Sequence, residues 1–198
     1  MKQIKLQING IVPIIMHNNR SANPLSPVAK YMKPLQAKRK KTDEDYAEIS
    51  RCEWESGLYM YHGEVVLPAQ NVEKCFIYGA RKSKQGKLFE SGVFIEETYI
   101  ALDYAGPKIK LNDWKIFPNP ELDVFYEHFN TQDLVKVGMQ TILRTRPIFE
   151  DWSCSFTVTY DETVLDERTL IGCAEVAGRL VGLCERRPRM GRFDVKKV

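Results

Sequence analysis

Residues 153–184 read SCSFTVTYDETVLDERTLIGCAEVAGRLVGLC and carry the clearest structural pattern in the chain. Over residues 153–160, apolar or aromatic side chains alternate with polar ones, which is the pattern of a half-buried β-strand. Asp166 is a residue type that caps helices, and the apolar positions after it are spaced three and four apart. This spacing predicts a helix over 167–184, on which Gly178 and Gly182 permit close packing.

The two ends of the chain show a second and a third strand. Residues 2–8 alternate in the same way, with Ile4, Leu6 and Ile8 on one face. The apolar residues 11–16 surround a proline and predict a bent edge or a short strand. After residue 184, a basic turn rich in Gly and Pro leads into a short last strand.

The middle of the chain contains two more helices and several strands. Thr42 or Asp43 can cap a helix that runs to about Ser56 and ends at Gly57. A hairpin over 58–67, turning at His62-Gly63, should follow. Pro68 then suits the start of a helix over 69–82. Three strand-like runs rich in β-branched and aromatic residues follow, at 92–102, 122–129 and 136–145.

The order of these elements predicts an α+β fold. Two helices on one face of a mostly antiparallel sheet give a ferredoxin-like, or split βαβ, core with long loop insertions. We expect a single domain over 1–198. Residues 17–42, which contain three prolines and a run of basic residues, are expected to form an irregular basic insertion.

Composition excludes several classes of protein. The 198 residues include 29 Lys and Arg and 26 Asp and Glu, so the net charge is only +3, and 43% are hydrophobic, as in ordinary globular proteins. No signal-peptide pattern and no apolar run of membrane-spanning length is visible, which favours a cytoplasmic protein without membrane contact. The five cysteines lack CxxC spacing, and we expect buried, reduced thiols.

The basic residues are concentrated in three clusters at predicted loops and helix ends. We name these clusters by their bounds, 30–41, 81–87 and 186–192. Lys and Arg in loops neutralise phosphates, and segregated charge creates a local positive potential that the net charge hides. The alternative is that these are solvated loops. Tyr31 is the best candidate for an exposed ring on which a base can stack. The predicted nucleic-acid-binding residues are Lys30, Tyr31, Lys33, Lys38, Arg39, Lys40, Lys41, Arg81, Lys82, Lys84, Lys87, Arg186, Arg187, Arg189 and Arg192. Arg144 and Arg146 form a smaller basic pair.

No catalytic or metal-binding arrangement is visible in the sequence. His17, His62 and His128 are far apart and lack the spacing of metal ligands. There is no nucleophile elbow, no P-loop and no dinucleotide-binding glycine motif. We therefore expect a binding protein without catalytic residues, metal or cofactor.

Residues 64–81, EVVLPAQNVEKCFIYGAR, resemble a signature of the RAMP superfamily. In that family a strand is followed by I-P-G-S-S-L-K-G-A-L-R, which opens a helix ending in a basic residue. Leu67-Pro68 and the closing Gly79-Ala80-Arg81 match this signature in character, whereas Ala69-Gln70-Asn71 replaces Gly-Ser-Ser. The N-terminal strand resembles the start of that fold, and residues 186–193, RRPRMGRF, resemble the ending of small bacteriophage and prophage proteins.

The resemblance implies a phage protein related to the backbone subunits of CRISPR effector complexes. Such subunits have a modified RRM-like core with large loop insertions, and they polymerise into a filament on single-stranded RNA. The insertion at 17–42 would then grip the strand or the next subunit. In the cutting members, an Asp in the loop after the first strand cleaves RNA. Residues 1–42 contain no Asp or Glu, which argues against cleavage.

The leading hypothesis is non-catalytic binding of single-stranded RNA or DNA through basic loops, as a homo-oligomer or filament. The alternative is a phage assembly or decoy protein that acts through protein–protein contacts, with its basic loops facing an acidic partner. A third hypothesis is a nuclease whose site the sequence does not reveal. The sequence leaves open the choice between DNA and RNA and the number of subunits.

Overall fold

A computed structural model describes the backbone of residues 1–198 and all side chains except those of Val137 and Gln140. The protein is a mixed α/β chain whose sheets are mostly antiparallel. The strands are β1 (Lys2–Gly10), β2 (Ile14–Ile15), β3 (Met60–Tyr61), β4 (Glu64–Pro68), β5 (Val93–Ile95), β6 (Tyr99–Ala101), β7 (Asp103–Tyr104), β8 (Asn130–Val137), β9 (Gln140–Phe149), β10 (Trp152–Tyr160) and β11 (Phe193–Lys197). The helices are α1 (Pro27–Ala37), α2 (Asp43–Gly57), α3 (Ala69–Lys82), α4 (Gly86–Gly92), α5 (Asp123–Phe129) and α6 (Glu167–Leu180).

The chain divides into two compact units, each built from separate segments. The core unit comprises Met1–Ile15, Val66–Ala105 and Phe149–Val198, and the insertion unit comprises Met16–Val65 and Gly106–Ile148. This division does not test whether residues 1–198 form one domain, which stays a prediction. Among the described residues, no helix combines the length and the apolar character that crossing a membrane requires.

The core unit contains an antiparallel sheet with the strand order β11-β1-β10-β5, and β7 also pairs with β10. Alternation places Leu6 and Ile8 of β1 and Phe156 and Val158 of β10 on one fully buried face. The ring of Phe76 on α3 lies 6.0 Å from that of Phe156, so α3 covers this face. The helices of the core unit therefore pack against the apolar face of this sheet.

Helix α6 packs closely against both α3 and β11 because small residues stand at the contacts. A Cβ atom added at Gly79 of α3 would lie 2.5 Å from the Cβ of Ala177. A Cβ atom at Gly178 would lie 2.1 Å from the backbone oxygen of Phe193. The role predicted for Gly178 is therefore confirmed. Gly182 lies beyond the end of α6 and adopts a φ of +78°, which favours glycine.

The insertion unit is built on α1, α2 and the β8–β9 hairpin. Val28 and Met32 of α1 pack with Cys52 of α2 in a small apolar cluster. Trp54 of α2 is fully buried, and its indole Nε1–H donates a hydrogen bond of 2.9 Å to the backbone oxygen of Phe129. The Trp54 hydrogen bond joins the two segments of the insertion unit, although 40 residues of the core unit separate them in the sequence.

Several predicted elements are confirmed. Helix α3 has the predicted bounds, and α2 starts after Thr42, whose side chain and that of Asp45 form a reciprocal capping box. The hairpin turns at His62-Gly63, where both residues have positive φ. The strand at 153–160 and the last strand are present as β10 and β11. Asp166 caps α6 by accepting a hydrogen bond from the Thr169 N–H.

Other predictions are wrong or incomplete. Residues 27–37 of the segment expected to be irregular form α1, because Ser26 caps the helix and Pro27 is tolerated in its first turn. Residues 123–129, predicted as a strand, form α5 after a 3₁₀ turn that Asn119 caps. The strand predicted at 136–145 is part of the β8–β9 hairpin, which turns at Gly138. The region 92–102 holds the two short strands β5 and β6, and α6 ends at residue 180 rather than 184.

Candidate nucleic-acid interface

The 30–41 cluster lies in the insertion unit, on α1 and on the loop between α1 and α2. Lys30 and Lys33 are exposed on the helix. Lys38 forms an ion pair of 2.5 Å with Asp45, and the Nζ of Lys41 donates to two backbone oxygens at the end of α1, at 2.9 Å each. Lys38 and Lys41 therefore contribute to the local structure of the loop.

Arg39 and Lys40 differ from these two neighbours. Both are exposed, and neither makes an ion pair or a side-chain hydrogen bond within the described part of the chain. Their charges are available to a ligand at no cost in broken contacts. Of the four consecutive basic residues, these two are the better candidates for phosphate contact.

The hydroxyl of Tyr31 is hydrogen-bonded, while part of its ring is exposed to solvent. Its hydroxyl donates a hydrogen bond of 2.9 Å to Glu48, which raises the pKa of Tyr31, and its ring packs edge-on against Phe117. The residue nevertheless remains 39% exposed. The ring is thus held in a fixed position with part of its surface open to solvent, as the prediction of an exposed ring requires.

The 81–87 and 186–192 clusters both lie in the core unit. Arg81 and Lys82 end α3, Lys84 follows them, and Lys87 lies in the first turn of α4. The four arginines lie in the turn between α6 and β11. Arg186, Arg187 and Arg189 are exposed, whereas Arg192 is half-buried and its Nε lacks a partner among the described residues. Arg192 is therefore the least available of the four for a ligand.

A groove of about 560 Å³ joins these two clusters, and we call it the core groove. Its cations are Arg81 and Lys82 from α3 and Arg187 from the turn after α6. The Arg81 guanidinium lies 5.1 Å from the centroid of the Tyr78 ring and also pairs with Glu90 at 2.6 Å. Tyr78 is 42% exposed. The remaining lining residues are Leu180, Val181 and Pro188. Lys84, Lys87, Arg186, Arg189 and Arg192 do not line this groove.

The core groove has two features that are common at sites that bind single-stranded nucleic acid. An exposed aromatic ring offers a surface on which any base can stack, and cations beside it neutralise the phosphates. Arg81 is oriented by Glu90 and by the Tyr78 ring, so its remaining N–H groups keep a defined direction. Residues about a hundred positions apart in the sequence therefore meet at one surface.

A second, larger cleft of about 970 Å³ lies within the insertion unit, and we call it the insertion cleft. Of the predicted residues, only Lys33 lines it. Arg144 and Arg146 were noted in the sequence as a smaller basic pair without being predicted as binding residues, and Lys136 was not singled out. The lining residues are His17, Asn18, Ser21, Ala22, Pro24, Ala29, Met32, Lys33, Gln36, Ala37, Glu53, Ser56, Gly57, Val135, Lys136, Arg144, Thr145 and Arg146.

Glu53 organises the wall of the insertion cleft. Its carboxylate pairs with the Arg144 guanidinium and accepts a hydrogen bond of 3.0 Å from the backbone N–H of Thr145. The side chain of Glu53 is 10% exposed and that of Arg144 is 35% exposed. Thr145 is buried, and its hydroxyl has no hydrogen-bond partner among the described residues.

Several buried titratable groups that line neither the core groove nor the insertion cleft have shifted pKa values. Burial raises the pKa of Glu55 to about 7, although a backbone N–H and Arg51 favour its charged form. Burial likewise raises the pKa of the thiols of Cys52, Cys75 and Cys154 to about 12. These thiols are therefore protonated at neutral pH, and a protonated thiol is a poor nucleophile.

The described side chains contain no group of three or more His, Cys, Asp or Glu placed to hold a metal ion. His128, expected on a strand, lies on α5, and His62 lies in the β3–β4 turn as expected.

No protein-family model matches the sequence, and comparison with curated proteins gives no match. The surfaces of this chain are therefore the evidence for its function.

Proposed function

We propose that this protein binds single-stranded nucleic acid without cutting it, through basic side chains beside an exposed aromatic ring. The observation that carries the proposal is the core groove, which Arg81, Lys82 and Arg187 line together with Tyr78, and in which Arg81 lies against the Tyr78 ring. Bases would stack on the Tyr78 ring, and the cations would neutralise the phosphates on either side of it. Arg39 and Lys40 of the 30–41 cluster, in the insertion unit, are separate candidates for phosphate contact.

The topology of the core unit supports a ferredoxin-like, RRM-like core. The elements β1, α3, β5, β10, α6 and β11 follow one another in the chain, apart from the insertions and short elements between them. Numbered by themselves, the four strands have the spatial order 4-1-3-2 with antiparallel neighbours. This is the arrangement expected of a split βαβ fold. The two segments of the insertion unit would then be the large loop insertions of the RAMP superfamily.

The same proposal includes assembly and location. A relative of CRISPR backbone subunits, encoded by a phage, would act in the host cytoplasm as a homo-oligomer or filament on RNA or DNA. The rival hypothesis is a phage assembly or decoy protein acting through protein contacts. A well-folded protein that retards no single strand at low salt would favour this rival.

The test is fluorescence anisotropy with labelled single-stranded RNA and DNA over a salt series. We expect the double variant Lys82→Ala/Arg187→Ala to flatten the log–log salt slope by about 0.7 to 1.4, because each neutralised phosphate contributes about −0.7. The matched control is Lys84→Ala/Arg189→Ala, which removes the same charge from the same two clusters outside the groove. Equal losses in the two variants would contradict a role for the groove.

Tyr78 allows a second, independent measurement. Tyr78→Phe keeps the ring and should bind with nearly unchanged affinity, whereas Tyr78→Ala should lose about 1–3 kcal/mol of binding free energy. The loss should be similar for different base sequences, since stacking tolerates every base. A strand that binds both variants equally would show that the ring is not a stacking surface.

A further inference from the structure

The β8–β9 hairpin presents apolar side chains to solvent beside a free strand edge. β8 is the outer strand of its sheet, so one of its edges pairs with no other strand in the described part of the chain. Leu134 of β8 lies directly opposite Leu143 of β9, and the two residues are 74% and 48% exposed. An exposed apolar strand edge of this kind is a template for pairing with another strand.

The turn of the hairpin determines which backbone groups of β8 face the free edge. Val137 pairs with Gln140 across a two-residue turn, and in such hairpins the closing pair exchanges both of its N–H···O=C bonds. Because bonded and non-bonded pairs alternate along an antiparallel ladder, the even-numbered residues of β8 direct their N–H and C=O groups away from β9. The exposed residues of this set are Gln132, Leu134 and Lys136.

A hydrogen bond on β9 agrees with this alternation. Thr145 lies opposite Gln132, and its backbone N–H donates to the Glu53 carboxylate at 3.0 Å rather than to β8. The pair of Thr145 and Gln132 is therefore a non-bonded pair of the ladder, as the turn requires. The outward N–H and C=O groups of β8 thus lie on the same residues as its exposed leucine.

A second β8 strand fits this edge because the edge is self-complementary. Two such strands related by a two-fold axis perpendicular to the sheet run antiparallel, and each offers the other the same outward groups. With Leu134 opposite the partner's Leu134, Gln132 stands opposite the partner's Lys136. Leu134 and Leu143 of both copies then form one apolar row across four strands, on a single face of the sheet.

The charges along β8 favour this register over its two neighbours. Moving the axis to Asp133 would place two aspartates directly opposite each other, and like charges so placed destabilise a sheet. Moving the axis to Val135 would set Leu134 against the partner's Lys136 and separate the two leucines. In the register centred on Leu134, no like charges stand opposite each other.

We propose that the free edge of β8 is a dimerisation surface, to which a second copy of this chain adds its own β8 strand with Leu134 at the two-fold axis. The inference rests on the self-association in the proposed function and names the surface responsible for it. A two-fold contact is closed, so it produces pairs of chains, and a filament would need a further contact elsewhere.

The first test is disulfide cross-linking of the full chain by diamide, which accepts the two electrons and two protons that a pair of thiols loses. In Leu134→Cys, the two new thiols would face each other at a Cα separation of about 5.5 Å, which a disulfide can span. Leu143→Cys is the matched control, because its two copies would lie three strand spacings, or about 14 Å, apart. The natural protein, whose five cysteines are free, gives the background.

We expect a covalent dimer on a non-reducing gel for Leu134→Cys and none for Leu143→Cys. Equal cross-linking of the two variants would overturn the proposed register. No cross-linking of Leu134→Cys above the background of the natural protein would overturn the surface itself.

Light scattering with a charged variant is the second test. Leu134→Lys would remove the central leucine pair and set two like charges opposite each other, so the dimer should dissociate at least about tenfold more readily. Leu25→Lys is the control, since Leu25 is also 74% exposed and lies in the insertion unit outside the hairpin. It should leave the mass unchanged. Thermal melts will show that both variants are folded, and equal masses of the folded variants would overturn the proposal.

Failure of this surface can be told from failure of the proposed self-association. If the natural protein is a monomer at all concentrations, both are wrong. If the natural protein is larger than one chain, and Leu134→Lys keeps that mass, only the β8 surface is wrong. Strand binding at the core groove is measured separately by anisotropy and depends on neither result.

Discussion

Both side-chain oxygens of Glu55 accept a hydrogen bond from the backbone N–H of Asn119, Oε1 at 3.1 Å and Oε2 at 3.0 Å. Arg51 lies 3.5 Å from the same carboxylate, which is only 2% exposed. Burial outweighs these favourable partners and raises the pKa of Glu55 from 4.5 to about 7. The folded protein thus holds a proton on Glu55 at a pH where the unfolded chain has lost it.

The first prediction is a pH dependence of stability that Glu55 causes. Because the folded-state pKa is raised, the free energy of unfolding should fall as pH rises from about 4.5 to 7. At 1.36 kcal/mol per pH unit, the contribution of Glu55 amounts to about 3 kcal/mol. Urea titrations at pH 5 and pH 8 will measure it.

Glu55→Gln is the matching variant, since glutamine keeps the shape and cannot lose a proton. Relative to the natural protein, this variant should gain stability between pH 5 and pH 8. A constant difference between the two proteins across this range would mean that Glu55 titrates as it does in the unfolded chain.

The second prediction concerns two glycines of α6. Gly178→Ala should destabilise the protein by about 1–3 kcal/mol, because the new methyl group would overlap the backbone oxygen of Phe193. Gly172→Ala on the same helix meets nothing within 4 Å and should stabilise by about 0.5–1 kcal/mol. Thermal melts of both variants give the comparison, and shifts of the same sign would show that α6 does not pack as described.

The third prediction divides the basic loop into two pairs. Arg39→Ala/Lys40→Ala should reduce the salt dependence of strand binding and leave the melting temperature unchanged, because these exposed side chains have no described partners. Lys38→Ala/Lys41→Ala should lower stability slightly, by up to about 1 kcal/mol, since it removes the pair with Asp45 and the contacts at the end of α1. The result would contradict this division if the second pair alone affected strand binding.

The fourth prediction is that bound strands stay intact. Residues 1–42 contain no acidic side chain that could act as the loop carboxylate found in the cutting members of the family that the sequence resembles. Labelled single-stranded RNA and DNA incubated with Mg²⁺ or Mn²⁺ should therefore remain full-length on a denaturing gel. Cleavage that persists through repurification, and that a variant of one residue abolishes, would establish a nuclease instead.

The fifth prediction is self-association, which the resemblance to filament subunits implies. Light scattering should show species larger than the 22.9 kDa chain, with a mass that increases when a long single strand is added. A monomer at all concentrations, with and without oligonucleotide, would remove the filament from the proposed function.

The elements predicted correctly from the sequence are those whose capping and turn residues adopt the same local structure in the folded protein. Thr42, Asp166 and the His62-Gly63 turn carry local capping and turn chemistry that the tertiary structure leaves in place. The strand predicted at residues 122–129 was wrong. Their aromatic and β-branched composition favours a strand, whereas Asn119 and Pro120 start a helical turn. The α1 helix was missed because its prolines indicated irregular structure, although one of them stands at an allowed position in the first turn.

The candidate sites depended on contacts that no local pattern encodes. The basic clusters at 81–87 and 186–192 were visible in the sequence, but their meeting beside Tyr78 follows from the packing of α3 against α6. The insertion cleft itself was not predicted, and Lys33 alone of its lining residues was among the predicted binding residues. Its other cations come from β8 and β9, and one of them is oriented by Glu53 of α2, more than ninety positions earlier in the chain.

The position of β1 between β10 and β11 has a consequence for synthesis of the protein on the ribosome. The neighbours of β1 lie at residues 152–160 and 193–197, so one of its edges stays unpaired until residue 160 has been translated and the other until residue 197 has been translated. Contacts this distant in sequence also make folding slow. During that interval β1 is an unprotected sheet edge, open to association with other nascent chains or to chaperone binding.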